Sequence, residues 1–333
     1  MNEFELIEKF FGENSLSAGV QPGIGDDCAL LDPTKGKKLA VSVDTLVADV
    51  HFPSSASAEL IAQRALRVCL SDLAAMAAKP RWFTLALTMP DVNENWLSDF
   101  SKALFSVASE YDCELVGGDT TKGPLSISIQ VMGEVEADQA LLRSTAKAGD
   151  SIYVTGSLGD AAAALAVIQE KLKPDSESRA YFLERYYRPD PRFKEAQKIK
   201  ALASAAIDIS DGLLADLGHI CQRSGVGAVL DLACLPFSAA MENEFLQKGI
   251  TETQREAWAL SGGDDYELCF TVSQENCQMI DEMTLSGTLN ATAIGKITEG
   301  VEVRCYKQDQ LVTPPLNTGY QHFAQDAQND GNG

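Results

Sequence analysis

Segments with strand character alternate with segments of helical spacing along most of the chain, and that alternation restricts the fold more than any other feature. "KKLAVSVD" (37–44) is β-rich, and "AELIAQRALRVCLSDLAAMAA" (58–78) carries apolar residues at helical spacing until Pro80. "RWFTLALTM", the amphipathic "NENWLSDFSKALFSVASEY", a short strand "CELVGG" and a longer one "LSISIQVMGEV" follow. After the polar connector "AKAGD" the pattern starts afresh with a strand at 151–155, a glycine turn and a helix running toward Leu172. "AAIDIS", "GAVLDLA", "YELCFTV", "ATAIGKI" and "VEVRCY" supply further strands. A chain of 333 residues exceeds one ordinary core. The expectation is an α/β (α+β) chain of two domains, 1–149 and 150–323, with a polar, disordered tail at 324–333.

Composition narrows the function. Forty-eight acidic against 27 basic residues give a formal charge of −21, which argues against nucleic acid or an anionic membrane as main partner and leaves divalent cations welcome. The acidic N-terminus does not read as a signal peptide, and no window of eighteen uncharged apolar residues occurs. Eight cysteines lack Cys-x-x-Cys spacing and read mostly as small buried hydrophobes, so a reducing cytoplasm is expected. Several familiar signatures are missing: a P-loop, a G-x-G-x-x-G after a strand, the protein-kinase set, G-x-S-x-G and a His-x-x-x-His pair.

What remains is a set of acids beside glycines and strand ends: "GIGDDCALL" (23–31), "AVSVD" ending at Asp44, "VGGDTT" around Asp119, "DISDGL" (208–213) and "SGGDDYEL" (261–268). Taken singly, each has a plainer explanation as a cap or turn; the glycines before Asp119 read as a sharp bend, and Ser210 or Asp211 as a helix N-cap. Asp72 stands inside a helical segment, where aspartate is a poor former. Together the carboxylates repel one another unless cations neutralise them, which points to several magnesium ions and phosphate oxygens. "VTGSLGDAAAA" (154–164) reads as a structural strand-to-helix turn, and the stripe Leu60, Ala65, Leu66, Cys69, Leu73 and Met76 as core.

The ordered set "GIGDDCALL", "SVDTLVADVHF", "SDLAAM", "GGDTT", "AIDISDGLLADLGHI" and "ALSGGDDYEL" resembles the thiamine-monophosphate kinase family, of the aminoimidazole ribonucleotide synthetase-like ATP-binding superfamily, from about Glu3 to Phe323. The resemblance implies ATP-dependent phosphorylation of thiamine monophosphate to thiamine diphosphate, the last step of that cofactor's biosynthesis. It also implies a homodimer whose N-terminal mixed sheets join into a barrel-like interface, with ATP and magnesium bound at the N-terminal domain. Carried over motif by motif, Asp27, Asp44, Asp72 and Asp208 are the magnesium ligands, joined by the Ser42 side chain. Val43, standing where threonine is common, would offer its carbonyl, and Asp119 and Asp211 would hold further ions. Which of Asp26 and Asp27 touches the metal stays open. Gly118 and Asp119 form the implied nucleotide-binding turn, Arg143 and Ser210 contact ATP, and His51, Asp264 and Tyr320 contact the acceptor. Asp264 stands where the family often has glutamate. The implied reaction is direct, metal-assisted in-line transfer, with no catalytic nucleophile or general base. Alternatives are another ATP-dependent synthetase of the superfamily or a non-catalytic magnesium or nucleotide sensor.

Overall fold

The computed structural model describes residues 3–12, 24, 26–313 and 319. The expected tail and Tyr320 lie outside them. Two sheets carry the chain. The first half runs α1 (Glu3–Phe11), β1 (Lys37–Val47), α2 (Ala58–Ala75), β2 (Lys79–Met89), α3 (Glu94–Glu110), β3 (Glu114–Lys122) and β4 (Ser126–Glu136). Its mixed sheet has the order β1-β4-β2-β3, with only β2 and β3 parallel, and is open within one chain.

The second half begins with β5 (Ser151–Thr155), α4 (Asp160–Ile168), α5 (Ser176–Tyr187), α6 (Phe193–Ile199) and β6 (Ala203–Asp208). It continues through α7 (Leu213–Ser224), β7 (Gly227–Asp231), α8 (Ala239–Leu246), α9 (Glu252–Ser261) and β8 (Leu268–Val272). α10 (Gln274–Leu285), β9 (Ala291–Thr298), β10 (Val303–Lys307) and β11 (Gln310–Val312) complete it. The order β11-β10-β7-β9-β5-β8-β6 is antiparallel at every pairing except β10 with β7. The α/β class read from the sequence is therefore correct, and β11 is an addition to it.

α2 positions the site. Ser57 caps its start by accepting from the Leu60 N–H at 3.3 Å. Its apolar residues pack with α3 and the first sheet in one core cluster. Just beyond its other end, Ala77 shares a second cluster with Ala75, Ala206 and Phe270 of the second sheet. A helix buried on both flanks places its few polar side chains between the two halves. The helix stops before Met76; Ala77 turns the chain at φ 55°, and Pro80 enters β2 next to an irregularity in its pairing with β4.

Candidate active site

β1 alternates between two environments. Leu39, Val41 and Val43 are exposed, while Ser42 and Asp44 turn toward α2. The Ser42 hydroxyl donates to Asp72 Oδ2 on α2, and the buried Cys69 thiol one turn earlier donates to Asp44. From the second half, Asp208 ends β6 and accepts from the Ser71 hydroxyl at 2.8 Å. Three carboxylates from β1, α2 and β6 thus meet, and no lysine or arginine among the described residues forms an ion pair with them. Burial, followed by the Asp72 charge, raises the Asp44 carboxyl to about 6. The same two causes raise Asp208 to about 8, against the Ser71 hydrogen bond and the Arg143 charge.

The loop after β6 is shaped by Asp216 of α7, whose Oδ2 accepts from the N–H groups of Ser210, Asp211 and Gly212 at 3.0, 3.0 and 3.2 Å. Neither Ser210 nor Asp211 is the cap expected from sequence; Gly212 holds that position, without a side-chain bond. Burial and the nearby Asp211 raise the Asp216 carboxyl to about 7. The facing loop requires glycine at 263. Its φ is 66°, and a Cβ there would stand 2.8 Å from the Ser210 carbonyl oxygen.

These walls enclose a cavity of about 540 Å³ lined by Val43, Asp44, His51, Asp72, Asp208, Ser210, Asp211 and Asp264, with Arg64, Tyr186 and Tyr266 among them. His51 Nδ1 accepts from the Val47 N–H at 3.0 Å, which puts the proton of the neutral ring on Nε2. A neighbouring cleft of about 380 Å³, beyond Asp72, is lined by Ser42, Arg143, Ser144 and Arg223. A larger cleft of about 760 Å³, between Lys79, Tyr111, Glu134 and Phe193, contains none of the predicted residues and has no buried acid cluster, so it is not the site.

Three predicted residues stand apart. Asp27 is exposed on the bend after Asp26 and lines neither cavity, its N–H bonding Asp26 Oδ1 at 3.0 Å. Gly118 and Asp119 do not form a turn; both lie within strand β3, on the opposite edge of the sheet from Asp44. Glycine is needed at 118 because a Cβ would stand 1.9 Å from the Leu85 carbonyl oxygen on β2. Asp265 and Glu267 point away from the cavity. The first accepts from the Gly159 N–H at 3.1 and 2.9 Å, and the second binds Thr155, Arg185 and Arg192.

Residues 25–135 match the AIR synthase related protein, N-terminal domain family, and residues 147–307 the corresponding C-terminal domain family. A thiamine-monophosphate kinase of Escherichia coli O157:H7 is 47% identical over 97% of this chain and 98% of its own length. The chain belongs to the thiamine-monophosphate kinase family. It is thus an enzyme of the kinase class. Among solved structures, a thiamine-monophosphate kinase from Stenotrophomonas maltophilia K279a is 41% identical, with a TM-score of 0.83 over 94% of this chain and 98% of that one. Another, described as AaThiL complexed with AMPPCP and TMP, is 31% identical, with a TM-score of 0.76 over 96% of each chain. Hydrogenase maturation protein HypE, at 19% identity and a TM-score of 0.72, shares the fold.

A kinase needs charge neutralisation at its phosphates, and the donor set suits magnesium: oxygen ligands only, in excess of nearby cations. No group of three or more acids, cysteines or histidines among the described residues forms a ready-made metal cage. Asp44, Asp72 and Asp208 would each offer a carboxylate oxygen to an ion whose remaining ligands are water and phosphate oxygens. Arg64, Tyr186 and Tyr266 escaped the sequence reading. The available signal was Arg64 itself, a charge three residues after Ile61 and four before Val68 on the apolar stripe of α2.

Proposed function

We propose that the chain transfers the γ-phosphoryl group of ATP directly to the phosphate of thiamine monophosphate, giving thiamine diphosphate and ADP, the last step of that cofactor's synthesis. The observation that carries this reading is the convergence of Asp44, Asp72 and Asp208 from both halves of the chain on one cavity, with no ion pair to them among the described residues. The described relative bound to AMPPCP and TMP supports it.

Asp27, Asp44, Asp72 and Asp208, with the Ser42 hydroxyl and the Val43 carbonyl, are the proposed magnesium ligands, and Asp119 and Asp211 hold further ions. When bound, magnesium neutralises phosphate oxygens and stabilises the charge that spreads during transfer. The chain's own residues orient the reactants. Gly118 and Asp119 approach the nucleotide, Ser210 contacts it, and the Arg143 guanidinium forks across its phosphate oxygens. His51 donates from Nε2 toward the acceptor phosphate, while Asp264 and Tyr320 hold the thiamine portion. The attacking oxygen is already ionised at neutral pH, so no general base is needed. Its new bond to the γ-phosphorus forms as the bond to the ADP oxygen breaks, without a phosphoenzyme.

The proposed active form is a homodimer. Asp119 lies across the sheet from Asp44, so a second copy is the route by which it joins a complete site. Leu39, Val41 and Val43 leave an apolar stripe on β1, 42%, 51% and 62% exposed, for that copy to cover. The proposed location is the cytoplasm. No helix among the described residues is long and apolar enough to cross a membrane. Incubation of the pure protein with ATP, magnesium and thiamine monophosphate tests the reading. Thiamine diphosphate and ADP are expected in equal amounts; bound ATP with neither product would favour a sensor.

A further inference from the structure

Arg64 is 2% exposed, and its three donating nitrogens reach three separate segments. Nε donates to the His51 carbonyl at 3.0 Å, Nη1 to the Tyr186 carbonyl at 2.8 Å, and Nη2 to Asp264 Oδ1 at 2.7 Å. The first acceptor lies in the turn after β1, the second in the last turn of α5, and the third in the loop before β8. Arg64 itself belongs to α2, so one side chain ties elements of both halves together. The Tyr186 ring lies 4.0 Å from the guanidinium carbon, and its hydroxyl donates to the same His51 carbonyl at 3.0 Å. The Tyr266 hydroxyl donates to Asp264 Oδ1 at 3.0 Å.

The Asp264 loop needs such a restraint. Asp264 and Tyr266 hold φ values of 63° and 50°, a left-handed region that side-chain-bearing residues adopt only when their surroundings impose it. Their N–H groups bond the carbonyls of Ser210 and Ile209 at 2.8 Å, which sets the backbone path. The Asp264 side chain takes its direction from Arg64 and Tyr266. A planar guanidinium suits this task because its donors diverge at fixed angles; an ammonium is one point and cannot span three separated acceptors.

We propose that Arg64 is a positioning residue for the acceptor, holding the His51 turn and the Asp264 loop in register so that the two walls of the acceptor pocket, one from each half of the chain, match a single ligand. This rests on the assignment of His51 and Asp264 to the acceptor given above. Among the described residues the hydrogen bonds of Arg64 go to His51, Tyr186 and Asp264, none of which lines the neighbouring cleft that holds Arg143 and Ser42.

The test compares wild type, Arg64→Lys and Tyr186→Phe in steady-state kinetics, with hydrogen–deuterium exchange over 47–54 and 262–267. Arg64→Lys is expected to raise KM for thiamine monophosphate about tenfold or more while KM for ATP stays within about twofold, since misplaced walls weaken only the ligand between them. Tyr186→Phe, which keeps the ring, is expected to give a smaller rise of about threefold in the same constant, and it carries the kinetic test if Arg64→Lys does not fold. Exchange should quicken in both segments and stay unchanged in α3. KM for both substrates rising alike, or a fall in kcat alone, would mark a general structural role and overturn the proposal, as would KM values and exchange that match wild type. A wild-type protein making no thiamine diphosphate removes the acceptor assignment, and exchange then decides separately whether Arg64 restrains the two loops.

Discussion

Burial raises the carboxyls of Asp44 on β1 and Asp208 at the end of β6, and the Asp72 charge, second to burial, raises both further, so Asp72 links the two acids of the site. Asp72→Asn should lower kcat by about 10³-fold, the size of a lost electrostatic contact to the transferring group. Without metal, the same change should leave the fold as stable or about 1 kcal/mol more so, after allowance for partial exposure, since it relieves like-charge repulsion. Thermal unfolding in chelator checks this, and a large loss of stability would count against the cluster as described. The pH dependence follows with its sign. Asp44 at about 6 and Asp208 at about 8 both lie above the ordinary 3.8. Between those limits these two groups hold more protons in the folded chain than in the unfolded one, so their contribution to metal-free stability falls as pH rises from about 4 to 8. Magnesium should restore more stability at pH 8 than at pH 5 in the same melts; an equal gain at both would contradict a carboxylate site.

Elements, more than isolated residues, separate what was legible in the sequence from what was not. The strand β5 at 151–155 and the helices α2 and α3 follow from local sequence pattern, whereas the face of β1 that carries Ser42 and Asp44 emerges only in the structure. The turn read at Gly118 and Asp119 is strand because glycine serves two ends: the pair before Asp119 suggested a bend, whereas the close approach of β3 to Leu85 is what requires Gly118. Arg64 escaped because its partners lie 13, 122 and 200 residues away, beyond any pattern of spacing. The partners of Glu267, just before β8, are likewise 75, 82 and 112 residues away. This fully buried carboxylate bonds Arg185 of α5, Arg192 before α6 and the Thr155 hydroxyl of β5, at 2.7, 2.7 and 2.6 Å. Burial alone would raise its pKa, and the two arginines with their hydrogen bonds outweigh that and lower it. Glu267→Gln removes the buried carboxylate that Arg185 and Arg192 share and leaves them Asp160 at 3.8 Å and Asp190 at 3.3 Å, so urea unfolding should show a loss of about 3 kcal/mol, the lower end for a broken buried pair. A loss below about 1 kcal/mol would mean that the pairs are replaced by solvent.

At the scale of the whole molecule, two halves meet across α2, and the carboxylate site exists only where they meet. The first sheet stays open, with its apolar β1 stripe exposed and Asp119 on the far edge. Val41→Asp puts a charge into that stripe, away from the inward face that carries Ser42 and Asp44. Sedimentation should show the expected dimer shifting to monomer, with activity falling in parallel; a fully active monomer would contradict a shared site. The direct test of the central claim is a product assay on the wild-type chain with ATP, magnesium and thiamine monophosphate, following thiamine diphosphate and ADP together. One thiamine diphosphate for each ADP, with activity abolished by chelator and restored by magnesium, is the expected result; ADP released without thiamine diphosphate, or neither product formed while ATP stays bound, would contradict it.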